Sequence, residues 1–414
     1  MKYGCIAERL GHSFSREIHG HLADYEYELR ELTPTELDSF MRERDFLAVN
    51  VTIPYKQTVI QYLDEISDEA ARIGAVNTVV NRGGRLFGYN TDLAGMTALI
   101  KRLGVELRDK KVLIAGTGGT AKTARAVAES LGAREIYKLS RTPGDDSIGY
   151  GEAYGLHSDA DIIINTTPVG MYPNEDGTPV DISRFERLSG VVDAVYNPLR
   201  TDLVMDALNR GIKAEGGLYM LVSQGVYASE HFLGVEYSDD RIDGVFREMI
   251  AEKENIVLCG MPGCGKTTIG KIIAERLGKR FIDLDAEIVR TSGKEITEIF
   301  KEGGESLFRK LETEAVREAT GQRGAVIATG GGAVLRDENV RMLRRNGRVY
   351  FLDRPLEQLV PTPDRPLALN REAIEERYKE RLPRYLAVSD VILPTDGVAE
   401  HAAKKVIEEF LGKR

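Results

Sequence analysis

The segment GMPGCGKT, residues 260–267, sets glycines, a lysine and a hydroxyl residue at the spacing G-x-x-x-x-G-K-[ST]. Glycines let successive backbone N–H groups close around phosphate oxygens, and the start of a following helix favours negative charge. Gly263, Cys264, Gly265, Lys266, Thr267 and Thr268 are therefore candidate contacts for a nucleoside triphosphate. Lys266 can reach the β- and γ-phosphates, and the Thr267 hydroxyl can ligate Mg²⁺. The bland alternative, a glycine turn that binds nothing, is opposed by the context: the apolar run NIVLC before it and a helical pattern after it. A second glycine turn, GTGG at 116–119, is weaker because it departs from G-x-G-x-x-G. It too lies between an apolar run, KVLIA, and a helical pattern, which makes Gly116, Thr117, Gly118, Gly119, Thr120 and Ala121 candidate dinucleotide contacts. Ser140, Arg141 and Thr142 stand about 20 residues further on, where such folds read the ribose, and Arg suits a 2′-phosphate. That favours NADP, although Asp145 and Asp146 follow and weaken a positive pocket.

Two strand–turn–helix units of this kind must be held by sheets. FLAVNVTI, AVNTVV, EIYKLS, DIIINTTPVG and GVVDAVY before residue 200, and AVIATGG and RVYFLD after it, read as further strands. Apolar strands alternating with amphipathic helices predict α/β architecture with mainly parallel sheets. The charged stretch 238–255 has little Pro or Ser and reads as a helical joint. The 414 residues, 42% hydrophobic and 29% charged, suit two or three globular domains. A net charge of −9 does not favour nucleic acid as a partner, although a local Arg or Lys cluster can still bind small anions. The three cysteines contain no CxxC pair, and the six histidines form no metal-like cluster, so reduced thiols in a cytoplasmic protein are expected. No apolar run reaches the ~18 residues of a membrane helix, and the first residues lack a signal-peptide core.

Further along the chain come FIDLDAEI with Asp283 and Asp285, GGESLFRKLE with Arg309, ATGGGAV with Gly330, Gly331 and Gly332, TPDRPL with Arg365, and ERLPRY with Arg381. Singly, these are surface charges and a turn. The two aspartates are spaced to share one face of a strand end. Together, in this order, they resemble shikimate kinase from about 254 to 414. The resemblance implies that Asp285 holds shikimate hydroxyls and is a candidate base, and that Asp283 sits near Mg²⁺ through water. It also implies that Arg309 and Arg381 clamp the carboxylate, a task suited to the guanidinium fork. The Gly330–Gly332 backbone would approach the ring, and Arg365 would lie on a lid over ATP. The lid departs from the family in lacking a second Arg; Thr362 and uncharged neighbours stand there.

Ahead of the weaker turn stand GHSFS (Ser13, Ser15), NVTIPYK (Asn50, Thr52, Lys56), GAVNTVV (Asn77) and GYNTDLAG (Asn90, Thr91, Asp92); INTTPVGM, VVDAVYNPLRT and GGLYMLVSQG follow it. A lone Lys56 is usually a solvated charge, and a lone Asp92 a helix cap. The ordered set resembles shikimate dehydrogenase from residue 1 to about 240. The resemblance implies reduction of 3-dehydroshikimate, with Lys56 donating or relaying a proton and Asp92 orienting Lys56 and the hydroxyl. Whether Lys56 or its bound water is the immediate acid stays open. Ser13 and Ser15 would bind the carboxylate; Thr52, Asn77, Tyr196 and Gln224 would read other polar groups; Gly217 would contact the cofactor.

The expected architecture is a substrate lobe (1–92), a Rossmann-like NADP lobe (93–216), returning helices and joint (217–252), and a P-loop kinase domain with a parallel sheet (253–414). NADP(H), ATP and Mg²⁺ are the expected cofactors, and 3-dehydroshikimate and shikimate the partners. Quinate preference, or a non-catalytic nicotinamide sensor in the first half, are the rival expectations.

Overall fold

The computed structural model describes residues 1–11, 13–238, 240–359 and 371–412, so His12, Thr362 and Arg365 lie outside the described residues. The chain divides into two compact units, Met1–Met249 and Ile250–Arg414.

The first unit contains two six-stranded sheets. One comprises β1 (Tyr3–Ala7), β2 (Tyr27–Glu31), β3 (Ala48–Val51), β4 (Glu65–Ile66), β5 (Thr78–Arg82) and β6 (Arg85–Tyr89), in the order β2-β1-β3-β5-β6-β4. Here β5 runs antiparallel to both β3 and β6, so this sheet is mixed. The cause is local: only Gly83 and Gly84 separate β5 from β6, and a two-residue link permits a hairpin but no crossover. The other sheet comprises β7 (Lys111–Ala115), β8 (Glu135–Ser140), β9 (Ile148–Gly149), β10 (Ile162–Asn165), β11 (Gly190–Asp193) and β12 (Lys213–Glu215). Its order is β12-β11-β10-β7-β8-β9 and every pairing is parallel. All five residues of β7 are buried, which is why VLIA, after Lys111, is an unbroken apolar run and not an alternating one. The helix Leu218–Leu233 packs against Thr91–Leu103 and against Ser15–Leu22.

The second unit is one parallel sheet of β13 (Asn255–Cys259), β14 (Arg280–Asp283), β15 (Ala325–Ala328), β16 (Gly347–Asp353) and β17 (Val391–Pro394). The order is β14-β15-β13-β16-β17. Tyr350, Phe351, Tyr385 and Phe410 lie in its core with Ile256, Val257, Leu258 and Ile327. Burial of each such side chain contributes about 1.5–3 kcal/mol.

Both glycine turns follow a strand at which the strand order reverses: β7 between β10 and β8, and β13 between β15 and β16. Helices that leave to opposite faces there open a crevice at the carboxyl ends of the strands, the usual ligand position in open α/β sheets. Several strands are shorter than expected. FLAVNVTI, DIIINTTPVG and GVVDAVY are extended only over Ala48–Val51, Ile162–Asn165 and Gly190–Asp193, and their remaining residues lie outside the strands. The joint is helical over Arg241–Lys253.

Candidate active sites

Lys56 lies in the turn after β3, where its carbonyl accepts from Val76 N–H at 2.8 Å. Its Nζ donates to Asp92 Oδ2 at 2.7 Å, with the two side chains 19% and 12% exposed. That burial and pairing exclude a solvated lysine. Asp92 is not the cap of its helix either. Asn90 is: its side chain accepts from the backbone N–H of Asp92 and Leu93 at 3.1 and 3.3 Å. Such a cap contributes about 1 kcal/mol. With the helix end already satisfied, the Asp92 carboxylate faces Lys56.

A second polar cluster adjoins the pair through Thr91, the residue before Asp92. Asn77 Nδ2 donates to Thr91 Oγ1 at 3.0 Å and to Gln224 Oε1 at 3.4 Å. Asn77 immediately precedes β5, and Gln224 lies on the helix Leu218–Leu233, so segments 147 positions apart share one polar cluster. Thr91 is the member that the sequence reading quoted but gave no role. Ser13 Oγ donates to Ser15 Oγ at 3.1 Å, and between them Phe14 turns its ring to Tyr196 at 5.2 Å between centroids. Thr52 stands one residue beyond β3, its N–H donating to the Ile6 carbonyl at 3.1 Å.

A cavity of about 970 Å³ opens beside the GTGG turn. Gly116, Thr117, Gly118, Gly119, Thr120, Ser140, Arg141 and Thr142 all line it, together with Ile53. Ala121 and Gly217 do not: Ala121 is wholly buried within its helix, and Gly217 donates its N–H to the Val195 carbonyl at 2.9 Å. Gly116 has φ +110°, and a Cβ there would meet Thr166 Oγ1 at 2.7 Å, so only glycine fits this approach. Thr166, Thr167 and Pro168, from the INTTPVGM segment, also line it with Tyr150 and Tyr154, and the sequence reading gave none of them a role. The signal for the first three was the polar NTTP run directly after an apolar strand. Asp146 does not oppose Arg141 as an isolated acid: it is paired with Lys138, and that hydrogen bond holds its carboxyl below the usual range.

In the second unit, Lys266 is the first residue of the helix Lys266–Leu277. Its Nζ donates to the carbonyls of Gly260 and Met261 at 2.9 and 3.0 Å, so the ammonium lies over its own loop. Cys264 Sγ is 3.7 Å from it. Thr267 Oγ1 donates to Asp283 Oδ2 at 2.6 Å. The expectation that Asp283 and Asp285 share a strand end is corrected. Asp283 ends β14 and caps the helix Leu284–Ser292, accepting from Asp285 N–H at 3.1 Å and Ala286 N–H at 3.4 Å. Asp285 is therefore helical, because the Asp283 cap turns the chain at once.

The three glycines after β15 are closely surrounded. A Cβ on Gly330 would meet Asp285 Oδ1 at 2.8 Å and Glu312 Oε1 at 2.9 Å. On Gly331 it would meet Arg381 at 3.3 Å, and on Gly332 the Arg309 guanidinium at 2.3 Å. Asp285, Arg309 and Arg381 thus converge on one loop, and Arg381 is only 4% exposed, so neither arginine is a surface charge. Arg309 donates to Glu312 at 2.8 Å and to Glu305. Burial pushes the Glu312 carboxyl up, and Arg309 opposes that shift. Glu312 was missed; its signal was its place three residues after Arg309, on the same helical face. A Gly332→Ala substitution is expected to displace the Arg309 guanidinium and to weaken binding of a carboxylate ligand at this loop about tenfold or more, as read by titration of the purified chain. Unchanged affinity would mean that Arg309 does not hold the ligand.

The first unit therefore has the fold and pocket of a two-lobed dinucleotide-dependent enzyme, and the second those of a P-loop phosphotransferase. The profile described as "Shikimate dehydrogenase substrate binding domain" matches residues 5–79, and that described as "Shikimate kinase" matches residues 262–411. A shikimate dehydrogenase (NADP(+)) of Clostridium beijerinckii is 36% identical over 259 residues, covering 59% of this chain and 96% of that protein. Among solved structures, shikimate dehydrogenase 1 of Peptoclostridium difficile is 33% identical with a TM-score of 0.56, covering 60% of this chain and 98% of the other. A chorismate mutase/shikimate 5-dehydrogenase fusion protein of Clostridium acetobutylicum is 34% identical with a TM-score of 0.57, covering 60% and 96%. The chain belongs to the shikimate dehydrogenase family and carries a shikimate kinase domain after it.

Proposed function

We propose that the chain catalyses two consecutive steps, reduction of 3-dehydroshikimate to shikimate with NADPH and phosphorylation of shikimate by ATP. The observation that carries the reading is the half-buried Lys56–Asp92 pair beside the Asn77, Thr91 and Gln224 cluster. NADPH, when bound along the GTGG turn, supplies the hydride. Reduction of the ketone would place negative charge on the carbonyl oxygen, which then needs a proton and an electrostatic partner. Lys56 provides both, directly or through a water, and Asp92 fixes its ammonium. Ser13 and Ser15 take the carboxylate, and Thr52, Asn77, Tyr196 and Gln224 the remaining polar groups. Arg141, with the nearby Asp146 neutralised by Lys138, supports the 2′-phosphate and hence NADP.

In the second unit the oxygen donors Thr267 and Asp283 fit a hard cation, and they would hold Mg²⁺ against the triphosphate, with Asp283 acting through water. Lys266 neutralises the phosphates, Arg309 and Arg381 grip the shikimate carboxylate, and Asp285 holds the hydroxyl and accepts its proton as it attacks. The Gly330–Gly332 backbone brings the ring against these groups. Arg365 is placed on the lid by resemblance. The lobes are taken as 1–92, 93–216, 217–252 and 253–414. Three buried thiols suit the reducing cytoplasm, and no helix among the described residues is long and apolar enough to cross a membrane.

A coupled assay of the purified chain tests the whole reading. With 3-dehydroshikimate, NADPH and ATP·Mg it should consume NADPH and then release ADP. NADH should be the poorer reductant. Faster turnover of quinate than of shikimate, or no NADPH consumption, would overturn the first half; shikimate-independent ADP release would overturn the second.

A further inference from the structure

Outside the groups assigned above, the first unit contains a directional chain of buried hydrogen bonds that ends on Asn77. It begins at Tyr27, on β2. The Tyr27 hydroxyl donates to Asn50 Oδ1 at 2.7 Å. Asn50 Nδ2 donates to Thr78 Oγ1 at 3.2 Å and to the Asn77 backbone carbonyl at 3.3 Å. Thr78 Oγ1 donates in turn to Asn77 Oδ1 at 3.1 Å. Both amides are oriented by backbone groups that have one polarity only. A carbonyl can only accept, so the edge of Asn50 facing Asn77 is its NH₂ and its oxygen must face Tyr27. A backbone N–H can only donate, and Thr91 N–H points at Asn77 Oδ1 at 2.8 Å, which turns the Asn77 NH₂ to Thr91 Oγ1 and Gln224. Tyr27 must therefore donate, and burial, first of all, keeps its hydroxyl protonated well above the usual range.

We infer that Tyr27 is a positioning residue for the dehydrogenase substrate, acting through Asn50 and Thr78, whose hydroxyl joins Thr91 N–H on Asn77 Oδ1, to hold the Asn77 amide with its NH₂ on Thr91 and Gln224. This rests on the reading that Asn77 contacts substrate. A flipped Asn77 would turn its carbonyl oxygen to Thr91 Oγ1 and Gln224 Oε1 in place of the NH₂ that now donates to both, so the relay, together with Thr91 N–H, holds this polar cluster in one arrangement. Asn77, Thr78, Asn50 and Tyr27 are all buried, so no solvent replaces a lost link.

The test is made on the full chain in the direction of shikimate oxidation. Tyr27→Phe keeps the ring that stacks on His19 at 4.0 Å and removes only the hydroxyl. The expected result is a rise of about fivefold in KM for shikimate, with kcat within about twofold and KM for NADP unchanged. Thr78→Val breaks the relay one link further on and should give the same split. In an Asn77→Ala background, Tyr27→Phe should add nothing further, because its effect passes through Asn77. If Asn77→Ala raises KM while Tyr27→Phe and Thr78→Val do not, or if the effects simply add, the relay is wrong and the assignment of Asn77 survives. If Asn77→Ala itself leaves KM unchanged, the assignment of Asn77 fails and takes the relay with it.

Discussion

Replacing Lys56 by Ala should lower kcat for 3-dehydroshikimate reduction by about 10²–10⁴-fold, the range for a positioned general acid. The same protein should phosphorylate shikimate at the unaltered rate, because Lys56 belongs to the first unit alone. Removing the ammonium also strands Asp92, whose 12% exposed carboxylate faces Lys56 at 2.7 Å. The stranded carboxylate should add to the loss in kcat, by repulsion between Asp92 and the charge that develops on the carbonyl oxygen in the transition state. Stopped-flow reduction monitored by NADPH absorbance, with ADP release measured on the same preparation, separates the outcomes. An unchanged reduction rate would remove Lys56 from the chemistry, whereas no NADPH consumption by the unaltered protein would leave the first unit as a cofactor sensor.

The mirror-image result is expected of Lys266→Ala. Loss of this charge over the triphosphate loop should cost on the order of 10³ in kinase turnover, about 4 kcal/mol of transition-state stabilisation. Lys266 is buried, and its Nζ donates to the Gly260 and Met261 carbonyls, so the loop also loses two internal hydrogen bonds. NADPH-dependent reduction should be unaffected. A retained kinase rate would remove the loop from catalysis. If both rates fell together, local misfolding would be separated from chemistry by the thermal transition of each unit.

The two glycine turns were legible because each carries its own context, an apolar strand before it and a helical period after it. The structure places both after strands at which the sheet order reverses. Lys56 and Asp92 were legible only as members of an ordered set of segments; neither residue type is informative alone. The mixed sheet was written in NRGGRL, where the two-residue gap forces a hairpin, yet the surrounding α/β pattern suggested parallel pairing. Asp285 was misplaced because a DLD triplet reads equally well as a strand end and as a capped helix start. Glu312 looked like one more charge on an exposed helix, and its burial depends on how that helix meets the glycine loop after β15. The polar chain from Tyr27 to Asn77 was beyond the sequence altogether, since residues 27, 50, 78, 91 and 224 meet only when three strands and two helices are assembled.

Each unit closes its own apolar interior: one built entirely from residues beyond 255, the others entirely from residues before 250. Lesions in one interior therefore need not propagate into the other. Inheritance of the two reactions is then asymmetric with respect to damage. A missense change can abolish one step and spare its neighbour, whereas translation delivers the two catalysts in a fixed one-to-one ratio that no separate promoter can adjust. Whatever balance the organism needs between the steps must be written into turnover numbers and not into copy number.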